Sequence, residues 1–508
     1  MKRKMKPDIF IGDRLIVNIL LLFLSVFPLI MHPAQSFITS PLIVSNWLNS
    51  GTKSEFYVHY KFIFLLITAA ILVMLFLVKL YRDNYEITAN YSNLPLFILV
   101  CVIALSALFA KYKTVALFGL WDRHEGALTY CIYFALCFIA ANVLPSQRQL
   151  KLLVFTLTPL IVLNAMTSVG AIYGHNVLQL QPFNSLLLGN ASAGTIFITT
   201  LENPDYLSGF GAVCCALFTV KTLLAANWED TAISLVFTTL AFAMILAATA
   251  TSGFLTLIVL IPLFIALMWR SGNRKRSVIN GVLILVCFSL VLSLLSQQNP
   301  TVWNKSFGFF GATTVSLESS LKAPAIRTSP QAASVAFSKT TGTQGAASRT
   351  GSPPPDDYAS LPQPGMSAGT GRLYIWRKTI PMIKRHPLFG YGLDTLGYYF
   401  PQNDPVGIAE DFGQLQEKPH DMYLDIAFGA GLIALFALIY LFIRHFLANL
   451  VLLRHPIQSE QTVVLLSLFA GWCAYLIQGL FNDSVLSTAP LFWILFGFGI
   501  SLLRHRPE

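Results

Sequence analysis

The chain has 508 residues, of which 55% are hydrophobic and 11% are charged. Soluble domains carry about 25% charged residues, so this composition excludes a soluble protein and indicates an integral membrane protein. In such a protein the net charge of +10 is a topology signal carried by lipid-facing loops, and it does not indicate nucleic-acid binding.

Twelve apolar segments approach the length of a membrane-spanning helix, which is about 20 residues. They lie near 14–32, 60–80, 93–110, 127–144, 150–173, 207–226, 231–250, 252–270, 278–296, 421–444, 461–481 and 485–503. The pattern predicts an all-α polytopic membrane protein with about 12 transmembrane helices and one large loop between the ninth and tenth. The membrane domain would then comprise residues 1–296 with spans 1–9 and residues 421–508 with spans 10–12, separated by the loop 297–420.

Basic residues in the short loops predict the orientation, because cytoplasmic loops are enriched in Lys and Arg. With an even number of spans both termini lie on the same side, and six basic segments fall on that side. These are the N-terminus, Lys79 with Arg82, Arg148 with Lys151, the segment 270–276, Arg444 with Arg454, and Arg504 with Arg506. The termini are therefore predicted to be cytoplasmic, in a multi-pass protein of the cytoplasmic (inner) membrane, and the large loop is predicted to be extracytoplasmic.

The large loop divides into two parts by composition. Residues about 313–371 are rich in Ser, Thr, Ala, Pro and Gly, which predicts a flexible insert. Residues 372–400 are predicted to fold into an amphipathic helix followed by a turn at Pro387, Gly390 and Gly392.

The predicted helix has apolar residues at helical spacing, with Pro381 expected to kink or split it. The apolar residues are Leu373, Trp376, Ile380 and Ile383, and this face is predicted to lie on the membrane surface. Arg377 and Lys384 flank it. Two interpretations remain open: the helix anchors the loop to lipid headgroups, or it forms one wall of a site for an anionic lipid.

Five short motifs occur in a fixed order along the chain. They are Phe118 to Gly126 (FGLWDRHEG), Asn203-Pro204-Asp205-Tyr206, Arg372 to Trp376, Pro387 to Gly392 (PLFGYG), and His420-x-x-Tyr423-Leu424 followed by Gly429 and Gly431. In this order, with a dozen spans and a large loop before the tenth, they resemble the O-antigen ligase and polymerase superfamily of the Wzy/WaaL type. The resemblance covers the chain from about residue 118 to its end.

The resemblance implies glycan transfer at the outer face of the membrane, without a metal or another cofactor. The donor would be a glycan on a polyprenyl diphosphate, and a hydroxyl of a glycan or lipid acceptor would attack the anomeric carbon. Arg372 matches the family's loop arginine and would bind the leaving diphosphate. His420 matches its essential histidine and would either activate the acceptor or contact the leaving group.

The chain departs from the family pattern at two positions. Members usually carry a second arginine near the outer end of a mid-chain span, but the matching turn from Thr249 to Gly253 has none. Arg123 and Arg377 are candidate substitutes, and Lys384 and Tyr423 are further candidates for substrate binding. Asp421 follows the histidine where Asn is common, and it either orients His420 or caps the following helix.

Two other polar residues near these motifs have competing interpretations. His124 is predicted to be an interface residue rather than a catalytic base. Asp483 faces the same side as His420 and either reaches the site or belongs to a plain turn, of which the turn is favoured.

Function classes outside this interpretation stay open. A polytopic secondary transporter or flippase for an anionic or lipid-linked substrate is the alternative, because twelve spans are common in transporters. The chain has no internal repeat and almost no intramembrane charge, which favours a surface-facing transferase. Within the family, the sequence does not distinguish a ligase from a polymerase or from a protein O-oligosaccharyltransferase. The seven cysteines lie inside apolar segments and predict neither disulfides nor a metal site.

Overall fold

A computed structural model describes most of the chain. The described residues are 11–39, 49–85, 87, 89–175, 199–308, 371–401, 404, 416–454, 457 and 459–505. The predicted insert at 313–371 lies outside this description except for Gly371.

Helices dominate the described part of the chain, together with one small hairpin. In the first half the helices are α1 Ile11–Val26, α2 His59–Arg82, α3 Asn93–Phe109, α4 Lys113–Phe118, α5 Ala127–Ala141, α6 Gln147–Phe155, α7 Thr158–Ile172, α8 Pro204–Leu223 and α9 Trp228–Ala247. They continue with α10 Thr251–Arg270, α11 Arg274–Gln298, α12 Pro300–Lys305, α13 Arg372–Arg385, α14 Leu396–Tyr399, α15 Met422–Leu450, α16 Glu460–Gln478 and α17 Ala489–Arg504. Two 3₁₀ turns follow α1 and α15, at Phe27–Leu29 and Val451–Arg454. Strands β1 (Ala34–Ile38) and β2 (Gly51–Glu55) pair antiparallel, with Ala34 opposite Glu55, which the all-α prediction did not include.

Each of the twelve predicted segments coincides with helical structure, but the helices differ in length. Among the described residues, nine helical segments are long and apolar enough to cross a membrane, with α6 and α7 counted together as Gln147–Ile172. The remaining three, α3, α5 and α17, are apolar but have only 15 to 17 residues. A helix of that length extends roughly 22–26 Å, which is less than the hydrocarbon thickness of about 30 Å. The count of twelve spans therefore stays a prediction.

The centre of the bundle is formed by α8 and α17, which are buried on all sides. Every residue from Leu207 to Leu223 and from Ala489 to Leu502 is buried. Helix α8 packs against α9, α10 and α16, and α17 packs against α5 and α16. Small residues allow these close contacts: a Cβ on Gly497 would lie 2.4 Å from the Cys137 carbonyl oxygen. In contrast, only 17% of the apolar stretch within α11 is buried, so this helix lies at the periphery.

Contacts near the helix ends define the two ends of the bundle. At one end the Lys61 ammonium donates to the Thr200 carbonyl and to the Ser487 hydroxyl, both at 3.1 Å. At the other end the Ser501 hydroxyl donates to the Val143 carbonyl at 2.6 Å, and the Gln149 amide donates to the Arg14 carbonyl at 2.9 Å. The loops expected to share a side thus share an end, and which end faces the cytoplasm stays a prediction.

Helix α13 forms where an amphipathic helix was expected, but its buried face is different. The buried side chains are Tyr374, Ile375, Thr379 and Ile383, and this face packs against the N-terminal half of α15. Leu373 and Ile380 from the expected apolar face are exposed, at 36% and 42%. The partner of the buried face is the side of a neighbouring helix, which tertiary packing selects, and the membrane-facing position of the expected stripe stays a prediction. Pro381 lies inside α13 without dividing it.

His445 lies just beyond residue 444, where the sequence predicted the tenth span to end. It lies within α15, is buried, and accepts or donates a hydrogen bond with the Tyr91 hydroxyl at 2.7 Å. The apolar pattern underestimated the length of α15, because a histidine that is satisfied by hydrogen bonds can continue a helix.

Candidate functional site

His420 lies in the turn that begins α15. The Asp421 carboxylate caps this helix by accepting a hydrogen bond from the Leu424 N–H at 2.8 Å. Burial raises the pKa of Asp421 to about 6, although the capped backbone N–H groups lower it. Of the two roles considered for Asp421, the structure has the cap. His420 has a φ of +52°, which is uncommon for a residue with a side chain.

Asp483 is the partner of the His420 imidazole. Its Oδ2 lies 2.8 Å from Nδ1 of His420, and its side chain is only 1% exposed whereas that of His420 is 45% exposed. The plain-turn interpretation that sequence favoured for Asp483 is therefore wrong. The Asp483 charge raises the pKa of His420 above its usual value, against the effects of burial and of Arg372. The pair thus presents a half-exposed imidazole backed by a buried carboxylate.

Arg372, the first residue of α13, lies beside this pair. Its Nη2 is 3.7 Å from Oδ2 of Asp205, in the first turn of α8. One turn further along α13, the Trp376 indole N–H donates to the Pro419 carbonyl at 2.8 Å. This bond ties the start of α13 to the residue before His420. The structure therefore brings together Arg372 and His420, which sequence had assigned to one site.

Arg123 lies behind the site in a network of buried ion pairs. Its Nε is 3.1 Å from Oδ1 of Asp394, and its Nη1 is 2.7 Å from Oε2 of Glu417. Lys418 lies in the same network, with Nζ 2.7 Å from Oδ2 of Asp425 and 3.5 Å from Oδ1 of Asp394. The Arg123 side chain is 16% exposed and that of Lys418 is 3% exposed.

The carboxylates in this network differ in their proton affinity. Burial raises the pKa of Glu417 to about 7, even though Arg123 favours its charged form. For Asp394, burial also opposes ionisation, but Arg123 and Lys418 hold its pKa below the usual value. Asp394 additionally accepts the Leu120 N–H at 2.6 Å. It is therefore the fixed anion at the centre of the network.

The other residues predicted to bind substrate occupy different surroundings. The Tyr423 hydroxyl donates to the Leu476 carbonyl at 3.0 Å, which fixes it between α15 and α16. Arg377 and Lys384 lie on the exposed face of α13, along the same stripe as Leu373 and Ile380. His124 stacks on Phe62, with ring centroids 4.3 Å apart, and its assignment to an interface stays a prediction.

The mid-chain turn that lacks an arginine packs tightly instead. The Ser208 hydroxyl donates to the Ala250 carbonyl at 3.1 Å and accepts from the Gly253 N–H at 3.2 Å. A Cβ on Gly253 would lie 2.4 Å from this hydroxyl oxygen. The turn thus anchors α10 to α8 and supplies no charge to the site.

A water-sized cavity lies under the dyad formed by His420 and Asp483, between α8, α15 and α16. It measures about 30 Å³, and its lining includes Tyr206, Gln478 and Asp483. The Gln478 side chain donates to the Thr256 hydroxyl at 2.6 Å and accepts from the Asn482 amide at 2.7 Å. Because its volume holds roughly one water molecule, it does not accommodate a sugar.

Sequence reasoning did not identify Lys418, Glu417 or Asp394. Each stands next to a motif that was recognised: Glu417 and Lys418 precede His420, and Asp394 follows Gly392. The available signal was a charged residue beside a glycine-rich or helix-starting motif in an apolar chain. Within the described residues, no group of three His, Cys, Asp or Glu side chains is arranged to hold a metal ion.

Comparison with known proteins adds one match. A family model described as O-antigen ligase matches residues 235–439, which include Arg372, Lys418 and His420. No curated protein matches the chain. The matched region runs from α9 into α15 and carries the loop residues of the site in the expected order. Over these residues the chain is similar to O-antigen ligases, which supports the resemblance to the O-antigen ligase and polymerase superfamily.

Proposed function

We propose that the protein transfers a glycan from a polyprenyl diphosphate to an acceptor hydroxyl at the outer face of the cytoplasmic membrane. The match to the O-antigen ligase family model supports glycan transfer at a membrane. The observation that carries the proposal is the half-exposed His420 ring, held by buried Asp483 and adjacent to Arg372. A base beside an arginine is the combination that hydroxyl attack with a diphosphate leaving group requires.

His420 acts as the general base in this proposal. Its Nδ1–H donates to Asp483, so Nε2 carries the lone pair and faces the acceptor. Nε2 takes the hydroxyl proton as the acceptor oxygen bonds to the anomeric carbon and the bond from that carbon to the diphosphate oxygen breaks. The proton ends on His420, and the Asp483 carboxylate stabilises the resulting imidazolium.

Arg372 binds the diphosphate as negative charge grows on it. A guanidinium suits this role because it donates two parallel hydrogen bonds to phosphate oxygens. At 3.7 Å its present pairing with Asp205 is longer than a close ion pair, and the Asp205 side chain is 45% exposed. A diphosphate therefore replaces a weak, partly solvated contact. Arg377 and Lys384, further along the exposed face of α13, are proposed to contact the donor before it reaches Arg372.

The experiment is a gene deletion complemented with wild type, His420→Ala or Arg372→Ala. Surface glycans and lipid-linked intermediates are sized by gel and mass spectrometry, and membrane abundance is measured in parallel. Both variants are expected to reach the membrane normally and to lose activity by roughly 100-fold or more. His386→Ala and Arg385→Ala are the matched controls, because both residues are exposed at the far end of α13.

The glycan pools distinguish the remaining alternatives. Chains that collapse to single repeat units on deletion identify a polymerase, whereas full-length chains retained on the lipid carrier identify a ligase. A missing glycan on protein identifies a protein O-oligosaccharyltransferase. Unchanged pools on deletion, or full activity of His420→Ala, would contradict the proposal.

A further inference from the structure

We propose that Lys418, Arg123 and Glu417 are positioning residues, which hold His420 in its reactive orientation by joining three loops through one buried ion-pair network. The inference rests on the proposed function, because it concerns how the base of that reaction is placed. It assigns Arg123 to the positioning of His420 rather than to binding of the donor diphosphate.

The three loops are residues 118–126, 387–395 and 416–421. Each contains a residue other than glycine with positive φ: His124 at +52°, Asp394 at +60° and His420 at +52°. Such conformations persist only where the surrounding structure enforces them. The ion pairs link these loops directly, joining Arg123 to Asp394 and Glu417 and joining Lys418 to Asp394. The Asp394 carboxylate also accepts the Leu120 N–H.

The loop that carries His420 is held at every position around the histidine. Glu417 pairs with Arg123, Lys418 pairs with Asp425, and the Pro419 carbonyl accepts the Trp376 N–H. On the other side, Asp421 caps α15. Of the residues from 417 to 421, His420 has the most exposed side chain, so the network leaves only the reactive ring facing outward.

Because Arg123 and Lys418 are largely buried and paired with carboxylates, we assign them to positioning rather than to substrate binding. Lys418 is 3% exposed, and Arg123 has carboxylates on two of its nitrogens. A donor diphosphate would have to displace buried carboxylates to reach either cation. Arg123 and Lys418 nevertheless lie close enough to Asp483 that both help to keep its pKa below the usual value. The network therefore supports the dyad through geometry and charge without contacting substrate.

The test replaces an ion pair as a unit, because removing one partner leaves an unpaired buried charge and strongly destabilises the fold. In the double variant Lys418→Met with Asp425→Leu, both charges are replaced by apolar groups of similar size. Two readouts are made on the full-length protein. One is the kcat and KM measured with the lipid-linked glycan extracted from the deletion strain. The other is the pKa of His420, from the pH dependence of its modification by diethyl pyrocarbonate, resolved by mass spectrometry.

If the network positions His420, the double variant should reach the membrane in near-normal abundance. Its kcat should fall by roughly tenfold or more at similar KM, and its His420 pKa should fall towards the ordinary value of about 6.5. The groups that face His420 are Asp483, Arg372 and Asp205. The double variant changes none of them and leaves the net charge unaltered, so a lower pKa reports loss of the support that the network gives to the His420–Asp483 pair, through geometry or through the charge of Lys418. The matched control is Lys79→Met with Asp83→Leu, a 2.7 Å pair at the other end of the bundle. It should leave both readouts unchanged.

Glu417→Gln tests the same inference with a smaller perturbation, since it keeps the side-chain shape and removes one charge beside Arg123. It should also lower kcat, and it should remain folded even if the double variant does not. Wild-type kcat together with a wild-type His420 pKa in the variants that reach the membrane would overturn the positioning role. Full activity of His420→Ala would overturn the proposed function alone, because the pKa readout does not depend on turnover.

Discussion

At the scale of single residues, the site depends on two buried carboxylates that sequence reasoning treated differently. Asp421 was a candidate orienting group and is a helix cap, whereas Asp483 was assigned to a turn and is the partner of His420. The sequence does not show which of the two carboxylates contacts His420, because both stand beside a predicted helix end. Only the packing of α15 against α16, where the Met422 N–H donates to the Gly479 carbonyl at 2.8 Å, brings Asp483 to the histidine.

Asp483→Asn tests this pairing through the pH dependence of activity. Asp483 raises the pKa of His420, so the wild-type base is neutral only above a pKa that exceeds 6.5, and activity falls as the pH drops through that value. In the variant the acid limb of the pH–rate profile should move to lower pH. The maximal rate should also fall roughly 10- to 100-fold, because the amide does not stabilise the imidazolium. Rate against pH is measured from about 5 to 9. An unshifted acid limb would separate Asp483 from His420.

At the scale of elements, two glycine motifs fit together at a break in α15. Gly431 has φ +85° and ψ 174° inside this helix, and the turn Pro387 to Gly392 packs into the break. The Leu432 N–H donates to the Pro387 carbonyl at 2.7 Å, and the Tyr391 N–H donates to the Phe428 carbonyl at 2.9 Å. The sequence indicated both motifs, but it did not predict that the turn packs into the break in the helix. That contact fixes the loop from which Asp394 reaches the ion-pair network.

Gly431→Ala should destabilise the protein for two reasons. A Cβ there would lie 2.2 Å from the Leu388 carbonyl oxygen, and the positive φ disfavours any L side chain. The expected loss is about 2–4 kcal/mol, from backbone strain of about 1–3 kcal/mol plus the displaced turn. Thermal unfolding in detergent and membrane abundance measure it.

Two further glycines separate the causes. Gly174 also has positive φ, at +76°, but a Cβ there meets nothing within 4 Å, so Gly174→Ala should show the conformational penalty alone. Gly12→Ala, with neither constraint, should be close to neutral. If Gly431→Ala were no worse than Gly174→Ala, the packing of the turn into the break would not contribute to stability.

At the scale of the whole molecule, the alternation of loops between two ends follows from the apolar pattern. The site collects side chains from six segments of the chain, and all six lie at the end predicted to be extracytoplasmic. They contribute Arg123, Asp205, Arg372, Asp394, His420 and Asp483. Basic loops at the opposite end predict which side is cytoplasmic.

Cysteine labelling tests the predicted orientation. Thr52→Cys places an exposed thiol in the β2 strand at the site end, and Lys275→Cys places one at the opposite end. A membrane-impermeant maleimide should label the first variant in intact spheroplasts and the second only after permeabilisation. The wild-type protein corrects for its native cysteines, which the structure places in the helices. The reverse labelling pattern would invert the topology and remove the site from the outer face.

The sequence by itself determined the class of the protein, because apolar segments of membrane-spanning length leave few other structures that satisfy their backbone polar groups. It also predicted Arg372 and His420 as site residues through the family resemblance, since both stand in short motifs that are readable locally. Tertiary structure alone decided which residues contact them. The His420 partner lies 63 residues further along the chain, and the Arg123 partner Asp394 lies 271 residues away. Local periodicity carries no information on such distant pairs. The buried face of α13 was decided in the same way, because a helix with apolar residues on several sides turns towards the neighbour that the fold provides.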